Sequence, residues 1–208
     1  MEQELVERAV KSIRSAAARM QADERFKVVF EDYPARQEDD FLTVEEWIGS
    51  QPGMEGFRIP DQVRAIYSAT GGFLYQWQYL PGGANKVITG SAHLVTVIEL
   101  YHDDEEVEAG KPMTTIYDEA RRFDIISDDE FVGINFLRDA PEQLSMLYVD
   151  NEAGSKQLLS LNPLEYMQAL ALFLGSYGWQ RLYIGKRDDA AIEARKKDIA
   201  SLLNTPKP

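Results

Sequence analysis

The chain of 208 residues has no cysteine. That absence excludes disulfides, thiolate metal sites and cysteine nucleophiles together. Imidazoles are scarce as well, His93 and His102 being the only two. Long apolar runs are missing: no stretch approaches the roughly 18 residues a bilayer-spanning helix needs. The longest candidate, Met167–Tyr177, reads as a buried helix. The opening MEQELVERAVKSIR alternates charge with apolar residues and lacks the unbroken apolar centre of a signal peptide. No membrane contact and a cytoplasmic location are the expectations.

Basic residues are also in deficit, with 22 against 35 acidic ones and a formal net charge of −13. A field of that sign repels phosphate backbones, so nucleic acid is not an expected partner. It attracts a basic protein and accelerates encounter with it, although acidity also serves plain solubility. What is present in quantity is core material. Hydrophobic residues make up 44% and aromatics 11% of the chain, enough to bury one sizeable core. The charged residues are spread along its length, which argues against global disorder.

Residues Gln3–Met20 place Leu5, Val6, Ala9, Val10, Ile13, Ala17 and Met20 at three-and-four spacing, one apolar stripe of a helix. Glu7, Lys11 and Arg14 fall outside that stripe and should face water. Glu31–Asp40 reads as a polar connection. Thr43 with Glu46 reads as an N-cap with its capping box, ahead of Trp47 and Ile48. Gly49–Gly56 is a loop. A short helix is expected to open at Pro60 and to stop at Gly71-Gly72, glycine entering the left-handed conformation without steric cost. From Phe73 the period becomes two, with Phe73, Tyr75, Trp77 and Tyr79 on one strand face.

Pro81-Gly82-Gly83 should turn the chain. Val87–Thr89 and His93–Tyr101 are the next strand candidates, the second apolar on both faces as in a central strand. His102–Glu108 reads as an acidic loop, and Thr114–Phe123 carries a weak helical pattern. Phe131–Leu137 and Ser145–Val149 read as strands, with Asn151–Gly154 as a hairpin loop into Lys156–Leu161. Asn162-Pro163-Leu164-Glu165 combines an N-cap, a first-turn proline and a capping-box glutamate. Asp189–Leu203 is a last amphipathic helix. Helix, several strands, then helix is an α+β order.

Motifs that would carry chemistry are weak. His102-Asp103-Asp104-Glu105-Glu106 lacks the spaced ligands and glycine of a calcium loop and reads as a solvated turn. Gly82-Gly83-Ala84-Asn85-Lys86 does not have P-loop spacing. Neither G-x-S-x-G nor H-E-x-x-H occurs. Acidic pairs such as Asp128-Asp129 would suit a hydrolase, but chance pairs are expected among 35 acids and acid–base sites need convergent geometry.

The segment Ile59–Trp77 (IPDQVRAIYSATGGFLYQW) resembles the signature of the SUKH superfamily. An apolar residue and a proline open a short helix with a core-facing aromatic, and glycine then leads into a strand with Trp. Here the positions are Ile59, Pro60, Tyr67, Gly71, Gly72, Phe73 and Trp77. The upstream helix with Trp47 and the late hairpin and helix, Ser145–Tyr177, are similar too. The resemblance spans about residues 40–178, with helices 3–21 and 189–203 as flanking elements of one domain, 1–208. Gly71-Gly72 departs from the family's usual Asn-Gly. The resemblance implies an α+β domain with one mainly antiparallel twisted sheet flanked by helices. It also implies protein binding without catalytic residues, cofactor or metal, in bacteria mostly as immunity proteins that neutralise polymorphic toxins.

The resulting expectation is an immunity protein for a basic toxin domain, contacted through Tyr79, Asn85, Asp103, Asp104, Glu105 and Glu106. Alternatives are a scaffold or regulatory domain without a toxin partner, and a hydrolase or small-ligand enzyme. Oligomeric state is open.

Overall fold

The helical stripe at the start, the alternating strands and the late capped helices become an α+β architecture in the computed structural model, which describes residues 2–80, 87–102 and 111–204. Seven strands form one open antiparallel sheet in strict chain order. They are β1 (Phe26–Asp32), β2 (Phe73–Tyr79), β3 (Ile88–Leu94), β4 (Arg121–Ile125), β5 (Glu130–Asn135), β6 (Ser145–Asp150) and β7 (Ser155–Leu158). The helices among the described residues are α1 (Glu2–Gln21), α2 (Glu38–Gly49), α3 (Asp61–Ala69), α4 (Val97–Tyr101), α5 (Pro163–Phe173) and α6 (Asp189–Asn204).

Strand β2 organises the core. Its period-two pattern buries Phe73, Tyr75, Trp77 and Tyr79 and turns Gln76 and Gln78 to solvent. Helix α1 lies over the buried face and packs on α3, α5 and β1. Val6, Ala9, Val10, Ile13, Ala16, Ala17 and Met20 are its buried side, and Tyr75 Oη donates to Met20 Sδ at 3.1 Å. A lone helix of this length is marginal in water. Burial of its larger apolar side chains, roughly 1.5–3 kcal/mol each, is what holds it.

Helix α5 begins as its sequence demands. Asn162 Oδ1 accepts from the Glu165 N–H at 2.9 Å, and Glu165 returns a bond to the Asn162 N–H at 2.9 Å. It stops at Leu174, which takes a left-handed φ of 51°. The Leu174 carbonyl accepts the Trp77 indole N–H at 2.6 Å, so the end of α5 is tied to the centre of β2. Opposite Trp77 in the ladder stands Gly90, where a Cβ would run into the indole ring.

Several sequence expectations are corrected. Helix α2 starts at Glu38, five residues before Thr43, and is capped at Gln37, whose N–H is accepted by Asp40 Oδ2 at 2.8 Å. Glu38, Asp39 and Asp40 in its first turn complement the helix dipole. Thr43 instead bonds back to the Asp39 carbonyl at 2.8 Å. The connection read over Glu31–Asp40 overlaps the end of β1, whose partly polar edge pattern hid it. Gly71-Gly72 does not cap α3: Thr70 does, in extended conformation. The two glycines allow close approach, since a Cβ at Gly71 would strike the Pro34 carbonyl and one at Gly72 would lie 2.6 Å from the Leu94 oxygen.

His93–Tyr101 is not one strand. Thr96 caps the short α4, accepting from Glu99 N at 3.3 Å, and Glu99 Oε2 accepts from Thr96 N at 2.7 Å. A short apolar run buried on two sides suits either element, and the cap decided it. Thr114–Phe123 divides into a 3₁₀ turn, Met113–Tyr117, and β4. Leu5, placed in the apolar stripe, is 38% exposed.

The sheet has a narrow waist. β3 and β4 pair only at Leu94 and Asp124, beside an irregularity between Arg122 and Asp124. The Asp124 side chain supplies the next rung, its Oδ1 accepting the His93 N–H at 2.8 Å. Its Oδ2 accepts from Tyr166 Oη of α5 at 2.6 Å. A buried carboxylate thus joins both halves of the sheet to the helical layer.

Candidate functional site

Helices α1 and α6 both pack against α5, which leaves a trough of about 690 Å³ between them. The floor is apolar: Ala16 from α1, Ala171, Leu172 and Leu174 from α5 and its end, Ile199 and Leu203 from α6. The rim is cationic. Arg8, Lys11 and Arg19 come from α1 and Lys196 from α6, and among the described residues no carboxylate lines the trough. Arg8, Lys11, Ser12, Ser15 and Arg19 lie at three-and-four spacing, so one side of α1 presents them in a row beside its buried stripe.

These charges sit in an unusual electrostatic context. The chain carries 35 acidic residues, and most of its other arginines use them. Arg14 forms a bidentate pair with Asp32, at 2.6 and 3.0 Å, and Arg25 pairs with Asp23 at 2.6 Å. Arg64 bridges Glu45 at 2.5 Å and Glu38 at 2.9 Å. Arg181 reaches Glu130 at 2.9 Å. Among the described residues Arg8, Lys11 and Arg19 have no such partner, whereas Lys196 meets Glu193 at 2.7 Å.

Other concave surfaces are mixed in charge. A depression of about 420 Å³ brings Glu99, Glu119, Arg121, Arg122 and Lys156 together. Glu99 is engaged in the α4 cap, and Arg121 donates to Thr115 Oγ1 at 2.8 Å. Its charged groups are thus partly held by local structure.

The two carboxylates buried among the described residues are structural. Glu45, with a side chain 2% exposed, accepts the Ile59 N–H at 2.8 Å and the Arg64 guanidinium at 2.5 Å. It fastens α2 to the start of α3, at the resemblance segment. Asp124 is fully buried, and desolvation pushes its carboxyl up from 3.8 to about 6. The bonds from Tyr166 and the His93 N–H oppose that rise without cancelling it. Burial, helped by the adjacent Asp124 charge, raises the Tyr166 hydroxyl well above its ordinary range.

Of the residues expected to touch a partner, Tyr79 ends β2 as part of the core. Its ring meets Phe26 at 5.0 Å and lies under Arg25 at 5.9 Å. Asn85, Asp103, Asp104, Glu105 and Glu106 lie outside the described residues, as does the Pro81-Gly82-Gly83 turn. The residues carrying the resemblance are interior: Ile59, Pro60, Tyr67, Gly71, Gly72, Phe73 and Trp77 are buried and Trp47 half-buried. Tyr67 Oη donates to the Val95 carbonyl at 2.8 Å, and Trp47 meets the His102 ring edge-on at 5.4 Å. Among the described residues no three potential ligands gather as a metal site, and no helix is long and apolar enough to cross a membrane.

The trough was missed from sequence, although part of its signal was there: Arg8, Lys11 and Arg19 recur at three-and-four spacing along one side of α1, with Glu4 and Glu7 one turn before Arg8 and Lys11. That Lys196 and Ile199 would complete the site is a tertiary fact. The geometry defines an α+β protein with a seven-stranded meander and a basic, apolar-floored helical trough. Comparison with protein-family models, curated proteins and solved structures finds no match to this chain.

Proposed function

We propose that this chain is a non-catalytic, SUKH-like protein-binding domain of the immunity type, which holds a toxin in an inactive complex. The observation that carries the binding part of this reading is the trough. It offers apolar floor and exposed cations on helices already fixed by α5, so little ordering cost attends association. Polar groups buried elsewhere, Asp124 and Glu45, are engaged in bonds that hold the fold together. The immunity part rests on the resemblance at Ile59–Trp77.

In this reading the net charge of −13 draws in a partner with a basic domain, and Asp103, Asp104, Glu105 and Glu106 contribute to that field. Long-range attraction sets the association rate, and desolvated contacts set the residence time. The test is co-expression with the product of the neighbouring gene. A stable complex together with protection from its toxicity is the expected outcome. A toxic neighbour that is neither bound nor neutralised would sink the reading.

A further inference from the structure

Taking protein binding as the function, we propose that the trough between α1, α5 and α6 seats an acidic amphipathic α-helix of the partner, a segment separate from the basic domain that the overall field draws in. Three observations select that occupant. First, the rim is cationic in a chain whose net charge is −13. Arg8, Lys11 and Arg19 have no ion pair among the described residues, so the local charge is left for an anion. Second, the floor is apolar, which suits the other face of an amphipathic segment. Third, Arg8 to Arg19 follows one side of a helix for about three turns. A helix laid alongside would present carboxylates at the same three-and-four spacing.

Competing occupants fit less well. A planar membrane does not enter a slot between two helices, and the chain's overall charge repels an anionic bilayer beyond the immediate contact. The same field opposes nucleic acid. A helix in the slot would instead complete a three-sided packing arrangement of the kind helices make with one another.

The test uses the full-length chain and three labelled peptides of roughly four turns. One has a leucine face and glutamates elsewhere. The second replaces each glutamate by lysine, and the third carries the first composition with a central proline that prevents helix formation. Fluorescence anisotropy should show the acidic helix binding at least about tenfold tighter than either control. Circular dichroism should report helix gained on binding. Raising salt from about 50 to about 300 mM should weaken the complex several-fold.

Combining Arg8→Glu, Lys11→Glu and Arg19→Glu should reduce binding of the acidic helix about tenfold or more and reverse the preference toward the lysine peptide. All three side chains are exposed, so the fold should be kept, which far-UV dichroism checks. Ala200→Glu, also exposed and on the trough wall, should block the site independently. Equal binding of acidic and basic peptides, indifference to the proline, or unchanged binding by both variants would overturn the proposal. So would preferential flotation with phosphatidylserine vesicles, which would make the trough a membrane contact. If the co-expressed toxin is bound equally by the triple variant, the trough assignment falls and the immunity reading stands. If the acidic helix binds while no toxin is neutralised, the reverse holds.

Discussion

Replacing Asp124 by Asn isolates the energetic role of the carboxylate at the waist of the sheet. Its folded pKa of about 6 lies above the value of 3.8 expected for an open chain. Near pH 3 the acid is protonated in both states and costs nothing as a charge. As pH rises through 4 and 5, the unfolded chain releases its proton while the folded chain retains it, so the unfolded state gains free energy of ionisation first. Stability is therefore lost as pH rises across that window and levels off above the folded value. At about 1.4 kcal/mol per unit, the shift amounts to roughly 3 kcal/mol.

Asp124→Asn keeps the shape and removes the titration. Its amide oxygen can accept the His93 N–H, and its nitrogen can donate to Tyr166 Oη. Urea unfolding of both chains, followed by tryptophan fluorescence from pH 3.5 to 7.5, gives the stability difference at each pH. That difference should move toward the substituted chain by roughly 3 kcal/mol between the extremes, whatever its constant offset from altered hydrogen bonds. Parallel curves would refute the reasoning, because they would mean that Asp124 ionises equally easily in both states. A difference running the other way would mean that its two donors outweigh its burial.

Trp77→Phe removes the donor to the Leu174 carbonyl and leaves a void against Gly90; a loss of about 2–4 kcal/mol in urea unfolding is expected. Arg64→Met strips Glu45 of its close cationic partner and should cost about 3 kcal/mol, whereas Glu45→Gln with Arg64→Met should cost less than the single change. Thermal unfolding of the three chains decides this, and an Arg64→Met chain as stable as the parent would refute it. Arg14→Ala breaks a bidentate pair with Asp32 whose side chains are 40% and 30% exposed. It should lower stability by less than about 1 kcal/mol by the same measure.

Elements whose signals are local were legible in the sequence. Asn162-Pro163-Leu164-Glu165 specifies the start of α5, and the alternation after Phe73 specifies both the strand and its buried face. The stripe of α1 was legible except for Leu5. What escaped depended on contacts across the chain. β1 is an edge strand whose pattern becomes clear only beside Tyr75 and Trp77. Gly71-Gly72 looked like a helix stop because its true constraint, the Pro34 and Leu94 carbonyls, comes from distant residues. The charge balance pointed to acidic loops as the contact surface. The trough requires two helices from opposite ends of the chain to be placed on α5, which no local pattern encodes.

The placement of α1 against α5 bears on how the protein is made. The meander itself pairs only strands that are neighbours in sequence, so its ladders can form progressively as the chain emerges. The apolar side of α1 has a different schedule, because one of its main seats is made by residues after Pro163. At about 5–20 residues per second, synthesis leaves that side waiting on the order of ten seconds. During that interval Val6, Val10 and Ile13 lack part of their final cover, and the nascent chain is most exposed to chaperones or to wrong partners. A ribosome stalled before Pro163 would therefore present a sticky leading helix that lacks one of its main seats.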